Sequence, residues 1–352
     1  MQKLQDILDS IKPLDNTLYN EARNRLDKMA IPRGSLGRLE EFAQRVVAIR
    51  NTLTPEVKKT KVVVFAGDHG VVEEGVSAFP QDVTMQMVCN FIEGGAGINV
   101  LARHVGAEVM VVDMGVAGDL EPREGLLIKK VAKGTKNMAK TPAMTREDAI
   151  SALTIGIEIA RDLHSEEVDI IGTGDMGIGN TTPSAAIAAL LTKQDPEMVT
   201  GRGTGIDDER LKHKIAVIRK SIKLHSPDPD DPIDVLSKVG GFEIAGIAGL
   251  IIGAAFHRIP VVIDGFISTS AAVIAVSLNP VIREYLFAAH KSVEYGHAVL
   301  LEWLEQKPIL DLSMRLGEGT GAVLGMSLIE AGVKIMHEVL TCDEAGVRKA
   351  IR

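Results

Sequence analysis

Aromatic residues are scarce in this sequence: phenylalanine, tryptophan and tyrosine make up only 3% of its 352 residues. Hydrophobic residues still account for 45% of the chain, so valine, isoleucine, leucine, alanine and methionine must fill a large core. This composition is typical of α/β proteins, in which Val/Ile strands pack against Ala-rich helices.

The sequence also lacks the features of several functional classes. It has no long basic run and a formal net charge of −8, which argues against a nucleic-acid partner held through its phosphates. Its longest apolar stretch, 244–256, is shorter than the ~20 residues of a membrane span, and its first residues lack the apolar core of a secretory signal. Cys89 and Cys342 show no metal or redox spacing. We therefore expect a cytoplasmic protein that does not bind membranes.

Short apolar runs that end in glycine-rich loops recur from residue 61 onward. The strand candidates are 62–70, 109–118, 168–177 and 261–266, with weaker ones at 126–131 and 308–312. Helical patterns separate them, at 80–93, 146–164, 183–193, 209–224 and 242–257. This alternation predicts βαβ units and therefore a three-layer, Rossmann-like α/β core with a mostly parallel sheet.

Helical patterns also occupy both ends of the chain, up to about residue 50 and again from about residue 279. The sequence therefore predicts two domains. A large α/β domain would cover residues 61–285, and a smaller, mostly helical domain would combine residues 1–60 with residues 286–352. The smaller domain would contribute the loop that contains Glu318.

In an open parallel sheet, ligands bind at the carboxyl ends of the strands. The polar residues directly after the predicted strands are therefore the first candidates for an active site. They are Asp68, His69, Asp113, the segment 174–181 and Asp264. Their position favours a binding or catalytic role over a general surface role.

Residues 172–177 have the spacing G-x-G-x-x-G, which is associated with dinucleotide binding. Thr182 is a suitable helix N-cap and Pro183 suits the first helical turn, so the helix is expected to begin after Asn180 rather than inside the glycine run. The segment GDMGIGNTT, 174–182, is therefore better interpreted as a loop whose free N–H groups bind a phosphate. A turn that merely needs glycine is the alternative.

Three further stretches contain residues that could line a cleft. Glu318 lies between two glycines and is either a solvated loop residue or a base presented to a substrate. Lys214 follows the loop GRGTGID, where solvent exposure is the usual explanation and a phosphate contact is the alternative. Ser77, Met85 and Gln86 could line a pocket, although the methionine could equally belong to the core.

Three histidines, His69, His290 and His297, invite the hypothesis of a metal site. Their spacing matches no common zinc motif, so a structural or hydrogen-bonding role is favoured for them. The sequence also contains neither a Walker A motif nor the G-x-S-x-G segment of a nucleophile elbow.

Several motifs, taken together, resemble the nicotinate-nucleotide–dimethylbenzimidazole phosphoribosyltransferase family. They follow one another from about residue 32 to residue 340. The motifs are AGDHGVVEEGVSAFPQDVTMQMV, GGAGINVLAR, VVDMGV, GDMGIGNTT, RGTGIDDERLKHKIAVI, VIDGFISTSAA and LGEGTGAVLGM. Long motifs in series are far more specific than a single glycine pattern.

The resemblance implies that 5-phosphoribose passes from nicotinate mononucleotide to 5,6-dimethylbenzimidazole, which gives α-ribazole 5′-phosphate and nicotinate. This product is the nucleotide of the lower ligand of cobalamin-type cofactors. The resemblance also implies a homodimer with a parallel α/β core and a small helical domain built from both ends of the chain. It implies no metal and no other cofactor in the chemistry.

Individual roles follow from the same resemblance. Glu318 matches the family's catalytic base. The residues matched to the donor phosphate are Gly177, Gly179, Asn180, Thr181 and Lys214. The residues matched to the acceptor base are Ser77, Met85, Gln86, Met176 and Leu316. Asp264 and Ser292 are expected on the ribose or nicotinate side of the donor.

Asp175 departs from the family pattern, whose loop more often reads G-E-M-G-I-G-N-T-T. The acid is kept in this chain, but it is shorter by one methylene, which changes its reach by about an ångström. If this carboxylate contacts the ribose or the acceptor, the way that group is held must differ.

The implied chemistry suits these residue types. A single displacement at the anomeric carbon passes through an oxocarbenium-like state and inverts its configuration, while Glu318 accepts the N–H proton of the acceptor. Two other functions stay open at this point. One is a non-catalytic benzimidazole- or ribazole-binding protein on the same fold, and the other is an NAD-dependent oxidoreductase, against which the late helix start argues.

Overall fold

The computed structural model describes residues 2–348. These residues form a six-stranded parallel sheet with helices on both faces, which confirms the predicted α/β fold. Residue 1 and residues 349–352, which belong to the predicted helical domain, lie outside the described range. No helix within the described range is long and apolar enough to cross a membrane.

The sheet has the strand order of a doubly wound fold. Its strands are β1 (Thr60–Gly67), β2 (Glu108–Gly115), β3 (Leu126–Ile128), β4 (Ile170–Met176), β5 (Val261–Ile263) and β6 (Leu286–Ala288). They lie side by side in the order β3-β2-β1-β4-β5-β6, and the neighbouring pairs are parallel. The direction of winding changes between β1 and β4, where doubly wound folds bind their ligands.

The helices follow the predicted pattern closely in the middle of the chain. In order they are α1 (Gln2–Ser10), α2 (Asn16–Leu26), α3 (Arg38–Arg50), α4 (Val83–Ile92), α5 (Gly97–Val105), α6 (Arg146–Ser165), α7 (Thr181–Thr192), α8 (Pro196–Val199), α9 (Asp208–His225), α10 (Pro232–Val239), α11 (Phe242–Phe256), α12 (Phe266–Leu278), α13 (Tyr295–Trp303) and α14 (Thr320–Glu338). Short 3-10 turns occupy 70–74 and 280–285.

β1 shows why the strands are continuous apolar runs. All its residues are buried, because helices cover both faces of the sheet. Phe65 contacts α11 at Gly246, whereas Val62 contacts the start of α14 at Gly319. Since successive side chains of a strand point to opposite faces, these two contacts place α11 and α14 on opposite sides of the sheet.

The strand prediction needs correction at two places. β6 was not predicted, because its three residues are too few to show a period of two. The candidate at 308–312 is not a strand, since Leu310 makes only an isolated bridge to His290. The predicted boundary at residue 285 therefore separates the sheet from its own sixth strand, and it also assigns α14 to the smaller domain although this helix covers one face of the sheet.

Helices from the two ends of the chain share one small hydrophobic cluster. A small hydrophobic cluster joins α2, α3 and the end of α14, and its buried members are Ala22, Leu26, Met29, Ala43, Val47 and Met336. The separation is incomplete, however, because Leu4 and Leu8 of α1 and Phe42 of α3 belong to the main core.

Candidate active site

A cavity of about 490 Å³ opens at the carboxyl ends of β4, β5 and β6, a size typical of small-molecule sites. It brings together eight of the predicted site residues. They are Asp175, Met176, Gly177, Asn180, Thr181, Ser292, Leu316 and Glu318. Lys214 and Asp264 lie directly behind this lining, as their contacts below describe. Gly179 is not part of the lining, and a Cβ added to it would overlap Cγ2 of Val72.

The glycine loop connects β4 to α7 and presents the N-terminus of that helix to the cavity. The helix begins at Thr181 with Asn180 as N-cap, so it starts after the glycine run as predicted, but the cap is Asn180 rather than Thr182. Gly177 lies so close to β1 that an added Cβ would overlap the carbonyl oxygen of Gly67 and lie 3.2 Å from His69 Nε2. Free N–H groups and the helix dipole make this end of α7 attractive to an anion.

Lys214 supplies a buried cation behind the glycine loop. Its side chain comes from α9 and is only 1% exposed, so the exposed-helix interpretation is wrong. Nζ donates to Thr181 Oγ1 at 2.7 Å and to the carbonyl oxygen of Gly201 at 3.3 Å. Burial lowers the pKa of Lys214 to about 8, and the nearby carboxylate of Glu294 opposes that change.

Asp175 is a buried acid at the end of β4. Its Oδ2 accepts a hydrogen bond of 2.9 Å from Asn180 Nδ2, whereas Oδ1 has no partner among the described residues. Burial, together with the charge of Asp264, raises the pKa of Asp175 to about 8. These surroundings therefore favour the neutral carboxylic acid at pH 7.

Glu318 is held in a strained loop. The residue has a φ of +63°, between Gly317 at +80° and Gly319 at +87°, a left-handed conformation that non-glycine residues rarely adopt. Such strain persists only where the surroundings enforce it, and it clusters at functional sites. Glu318 Oε2 accepts a hydrogen bond of 3.3 Å from the backbone N–H of Ile98, at the start of α5. Burial raises the pKa of Glu318, and the hydrogen bond from Ile98 opposes that rise.

Asp264 holds the Glu318 loop in place through hydrogen bonds to its backbone. Its carboxylate is fully buried and accepts hydrogen bonds from the backbone N–H groups of Gly319, Gly321 and Ala322, at 2.7 to 3.1 Å. This network joins the end of β5 to the start of α14. Asp264 therefore positions the loop instead of facing the cavity itself.

The predicted acceptor residues divide into two groups. Met176 and Leu316 line the cavity, and Leu316 is 59% exposed at its mouth. Ser77, Met85 and Gln86 are not part of this lining. Their contacts are local: the Ser77 hydroxyl accepts from the Phe79 N–H, Met85 packs against Gly118, and the Gln86 amide donates to Asp82.

Several residues of the cavity lining were not predicted to lie in a substrate site, and His290 among them was named only as a possible metal ligand. Phe79, His290, Glu294 and Arg315 also line the cavity. His290 follows the unpredicted strand β6, and Arg315 lies in the irregular segment before α14, so neither position carried a periodic signal. Only the neighbourhood of Glu318 could have pointed to Arg315.

The other strand-end candidates have structural surroundings. Asp113 Oδ1 accepts from the N–H groups of Gly115 and Val116. His69 and Glu243 form a buried pair of 2.7 Å below the glycine loop. Burial lowers the pKa of His69, but the adjacent carboxylate of Glu243 outweighs it, so the pKa of His69 is raised. Within residues 2–348, no group of three or more His, Cys, Asp or Glu residues is arranged to hold a metal ion.

Fold and site together are those of an α/β enzyme whose small-molecule cavity lies between a helix N-terminus and a buried carboxylate. The sequence model of a family described as "Phosphoribosyltransferase" matches residues 11–347. Relatives named nicotinate-nucleotide–dimethylbenzimidazole phosphoribosyltransferase, from Geotalea uraniireducens and Geobacter sulfurreducens, are 60% and 59% identical to the chain, each over 99% of both sequences.

A solved structure agrees with these relatives. The crystal structure of nicotinate-nucleotide–dimethylbenzimidazole phosphoribosyltransferase from Thermus thermophilus has a TM-score of 0.90 at 44% identity, over 96% of this chain and 100% of that one. The chain therefore belongs to the nicotinate-nucleotide–dimethylbenzimidazole phosphoribosyltransferase family.

Proposed function

We propose that this cavity transfers 5-phosphoribose from nicotinate mononucleotide to 5,6-dimethylbenzimidazole or a related base. The products would be α-ribazole 5′-phosphate and nicotinate, for the lower ligand of a cobalamin-type cofactor. One observation carries the proposal: a buried acid and a buried cation lie at the same cavity. Glu318 is part of the cavity lining, and Lys214 donates a hydrogen bond to Thr181, which is also part of it.

The phosphate of the donor would bind where α7 begins. Thr181 offers its N–H group and its hydroxyl at the helix N-terminus, whereas the Asn180 N–H already donates to the Gly177 carbonyl oxygen. Lys214 adds a positive charge directly behind Thr181. An incoming phosphate dianion would favour the charged form of Lys214, because an opposite charge nearby raises the pKa of a lysine. Phosphate binding and lysine protonation are therefore expected to support each other.

The acceptor would lie against the apolar part of the lining. Phe79, Met176 and Leu316 present hydrophobic surface to the cavity, which suits a flat heteroaromatic ring. Methionine adapts to ligands of different shape, so related benzimidazoles or purines could compete for the same position.

The reaction would be a single displacement. One ring nitrogen of the acceptor forms a bond to the anomeric carbon, and the bond from that carbon to the pyridinium nitrogen breaks, so its electron pair neutralises the leaving nicotinate ring. The configuration changes from β to α. The other ring nitrogen of the acceptor gives its proton to Glu318, whose raised pKa brings it closer to a useful range for a base.

Asp175 would lie beside this centre as a neutral group before the donor binds. A positively charged donor ring or an oxocarbenium-like state would favour its ionised form, so Asp175 would release its proton to solvent as the donor binds. Its unpartnered Oδ1 leaves one oxygen available for a ligand.

The direct test is an incubation of the purified protein with nicotinate mononucleotide and a panel of bases, with the products identified by mass. We expect a ribotide of dimethylbenzimidazole together with free nicotinate. If no base gives a ribotide, the proposal fails. A bound base without turnover would instead support the non-catalytic binder, and a thermal shift with NAD alone would support the oxidoreductase.

We also propose a homodimer. Phe79 and Leu316 of the cavity lining are 48% and 59% exposed, and Tyr295, which follows the lining residue Glu294, is 66% exposed. Exposed apolar side chains that lie close together often mark protein interfaces. Light scattering at several protein concentrations measures the mass directly, and a monomer throughout would contradict this proposal. The cytoplasmic location stays a prediction from the sequence.

A further inference from the structure

His290 has no hydrogen-bonding partner in the described part of the protein although it is buried. It follows β6, lines the cavity and is 1% exposed. Within residues 2–348, neither Nδ1 nor Nε2 makes a hydrogen bond. Buried polar atoms nearly always have a partner, so an unpaired imidazole in a cavity wall indicates that a ligand supplies the missing contact.

The neighbouring His297 shows the opposite arrangement. The two rings lie 5.9 Å apart, and both side chains are almost fully buried. Nδ1 of His297 accepts from the Ser292 N–H at 2.9 Å, and Nε2 lies 3.0 Å from Thr269 Oγ1, which itself donates to the Gly265 carbonyl. His297 is therefore satisfied by the fold as a neutral ring, whereas His290 is not.

The carboxylate of Asp264 favours Nδ1 as the nitrogen of His290 that accepts from a ligand. Asp264 Oδ1 lies 3.5 Å from His290 Nε2, and a carboxylate beside one ring nitrogen favours the tautomer with the proton on that nitrogen. Nδ1 then carries a lone pair and can only accept a hydrogen bond. The ligand group that meets it must therefore be a donor.

We propose that His290 binds a ribose hydroxyl of the nucleotide donor through Nδ1, with Asp264 as the residue that orients the ring. This inference rests on the proposed function. The phosphate and the carboxylate of nicotinate mononucleotide are anionic acceptors, so its two ribose hydroxyls are the groups that can donate. A hydrogen bond from the hydroxyl next to the anomeric carbon strengthens as positive charge develops there, so the contact would assist both binding and turnover.

Steady-state kinetics with three donors tests this contact: nicotinate mononucleotide and its 2′-deoxy and 3′-deoxy analogues. With the natural donor, His290→Leu should lower kcat/KM by about 10- to 100-fold, the typical effect of one lost hydrogen bond in a buried site. With the analogue that lacks the contacted hydroxyl, the same substitution should change kcat/KM by less than about threefold. An equal loss with all three donors would overturn the inference.

Two further variants keep the test decisive. His290→Asn places an amide oxygen near the position of Nδ1 and should recover part of the activity with the natural donor, whereas His290→Gln moves the amide away from it. The advantage of Asn over Gln should disappear with the matching deoxy donor. If Gln equals or exceeds Asn with the natural donor, the assignment of Nδ1 is wrong, even if His290→Leu does not fold.

His297→Gln is the matched control, since this neighbour is equally buried but has both nitrogens satisfied. It should lower the melting temperature and reduce kcat/KM by one common factor for all three donors. The outcomes also separate the two proposals. A wild-type protein that forms no ribotide overturns the proposed function, whereas an active wild type with donor-independent losses in the His290 variants overturns this inference alone.

Discussion

Glu318 and Ile98 are 220 residues apart in the chain, yet the Glu318 carboxylate accepts a hydrogen bond from the Ile98 backbone N–H at 3.3 Å. The contact joins the loop before α14 to the first turn of α5. It fixes one carboxylate oxygen, Oε2, and leaves Oε1 for a substrate. The helix N-terminus also favours the carboxylate form, so the group can serve as a base although it is buried.

Replacement of this carboxylate tests the proposed base. We expect Glu318→Gln to retain the fold and the binding of nicotinate mononucleotide, but to lower kcat by about 10²- to 10⁴-fold, the usual contribution of a general base. Turnover with dimethylbenzimidazole, donor binding by calorimetry and the melting temperature should be measured together. Near-normal kcat would remove Glu318 from the base role, and lost donor binding would indicate a structural role instead.

Lys214 and Lys212 offer a matched pair on α9, because one is buried behind Thr181 and the other is exposed. Lys214→Ala should raise the KM for nicotinate mononucleotide by at least about tenfold, since a charge-assisted contact to phosphate is lost. Lys212→Ala should leave that KM within about twofold. Equal effects of the two substitutions would contradict the assignment of Lys214 to the phosphate.

Asp175 should make the stability of the ligand-free protein depend on pH. Its folded pKa is about 8, compared with an ordinary value of 3.8, so the folded state keeps a proton that the unfolded chain loses above about pH 4. The stabilisation by this proton is complete below about pH 4 and is lost as the pH rises to about 8, by up to ~1.4 kcal/mol per pH unit.

Asp175→Asn does not titrate, so the comparison isolates this group. The free energy of unfolding of the variant, minus that of the wild type, should rise between about pH 4 and pH 8 and stay constant above that range. Urea titrations at several pH values measure this difference. A difference that does not vary with pH would mean that Asp175 is ionised in the ligand-free protein.

Gly177 tests how tightly the phosphate loop packs on β1. An alanine Cβ there would overlap the Gly67 carbonyl oxygen, so Gly177→Ala should cost about 1–3 kcal/mol of stability and weaken donor binding as the loop shifts. Gly265→Ala is a suitable comparison, because the nearest atom to its Cβ would be His290 Nε2 at an ordinary 3.6 Å. Equal losses of stability would contradict the close packing of the loop.

Substitutions of Met176 and Met85 test two expectations for the acceptor site, one from the cavity lining and one from the family resemblance. Both residues match the family's base-binding positions, but only Met176 lines the cavity. Met176→Ala should raise the KM for dimethylbenzimidazole by about 5- to 50-fold, since it removes apolar contact with the ring. Met85→Ala should affect melting temperature more than that KM. The reverse order would show that Met85 reaches the acceptor.

Most elements of the fold could be predicted from local patterns. The apolar runs of β1, β2 and β4 and the period of α6, α9 and α11 appear within short windows, and each lies within a few residues of its predicted position. β6 was missed, because three residues carry no measurable period. The cap at Asn180 was missed because Thr182, directly before Pro183, is also of a residue type that caps helices.

The candidate site was less accessible to such reasoning. Glu318 and Lys214 were ambiguous from the residues alone, and the resemblance to a family supplied their roles. His290 was assigned only a general structural or hydrogen-bonding role, since nothing in its neighbours along the chain shows that both ring nitrogens lack partners among the described residues. Ser77 and Gln86 match the family pattern but do not line the cavity.

By itself, the sequence determined the α/β class, the parallel sheet, the glycine loop before α7 and the family. These properties depend on period, composition and motifs, each of which is contained in a short stretch of chain. Only the tertiary structure decided that Lys214 is buried, that Glu318 meets Ile98 and that His290, beside Asp264, is left unpaired within residues 2–348. Burial and hydrogen bonding depend on which distant segments meet, and that depends on the packing of the whole sheet and its helices.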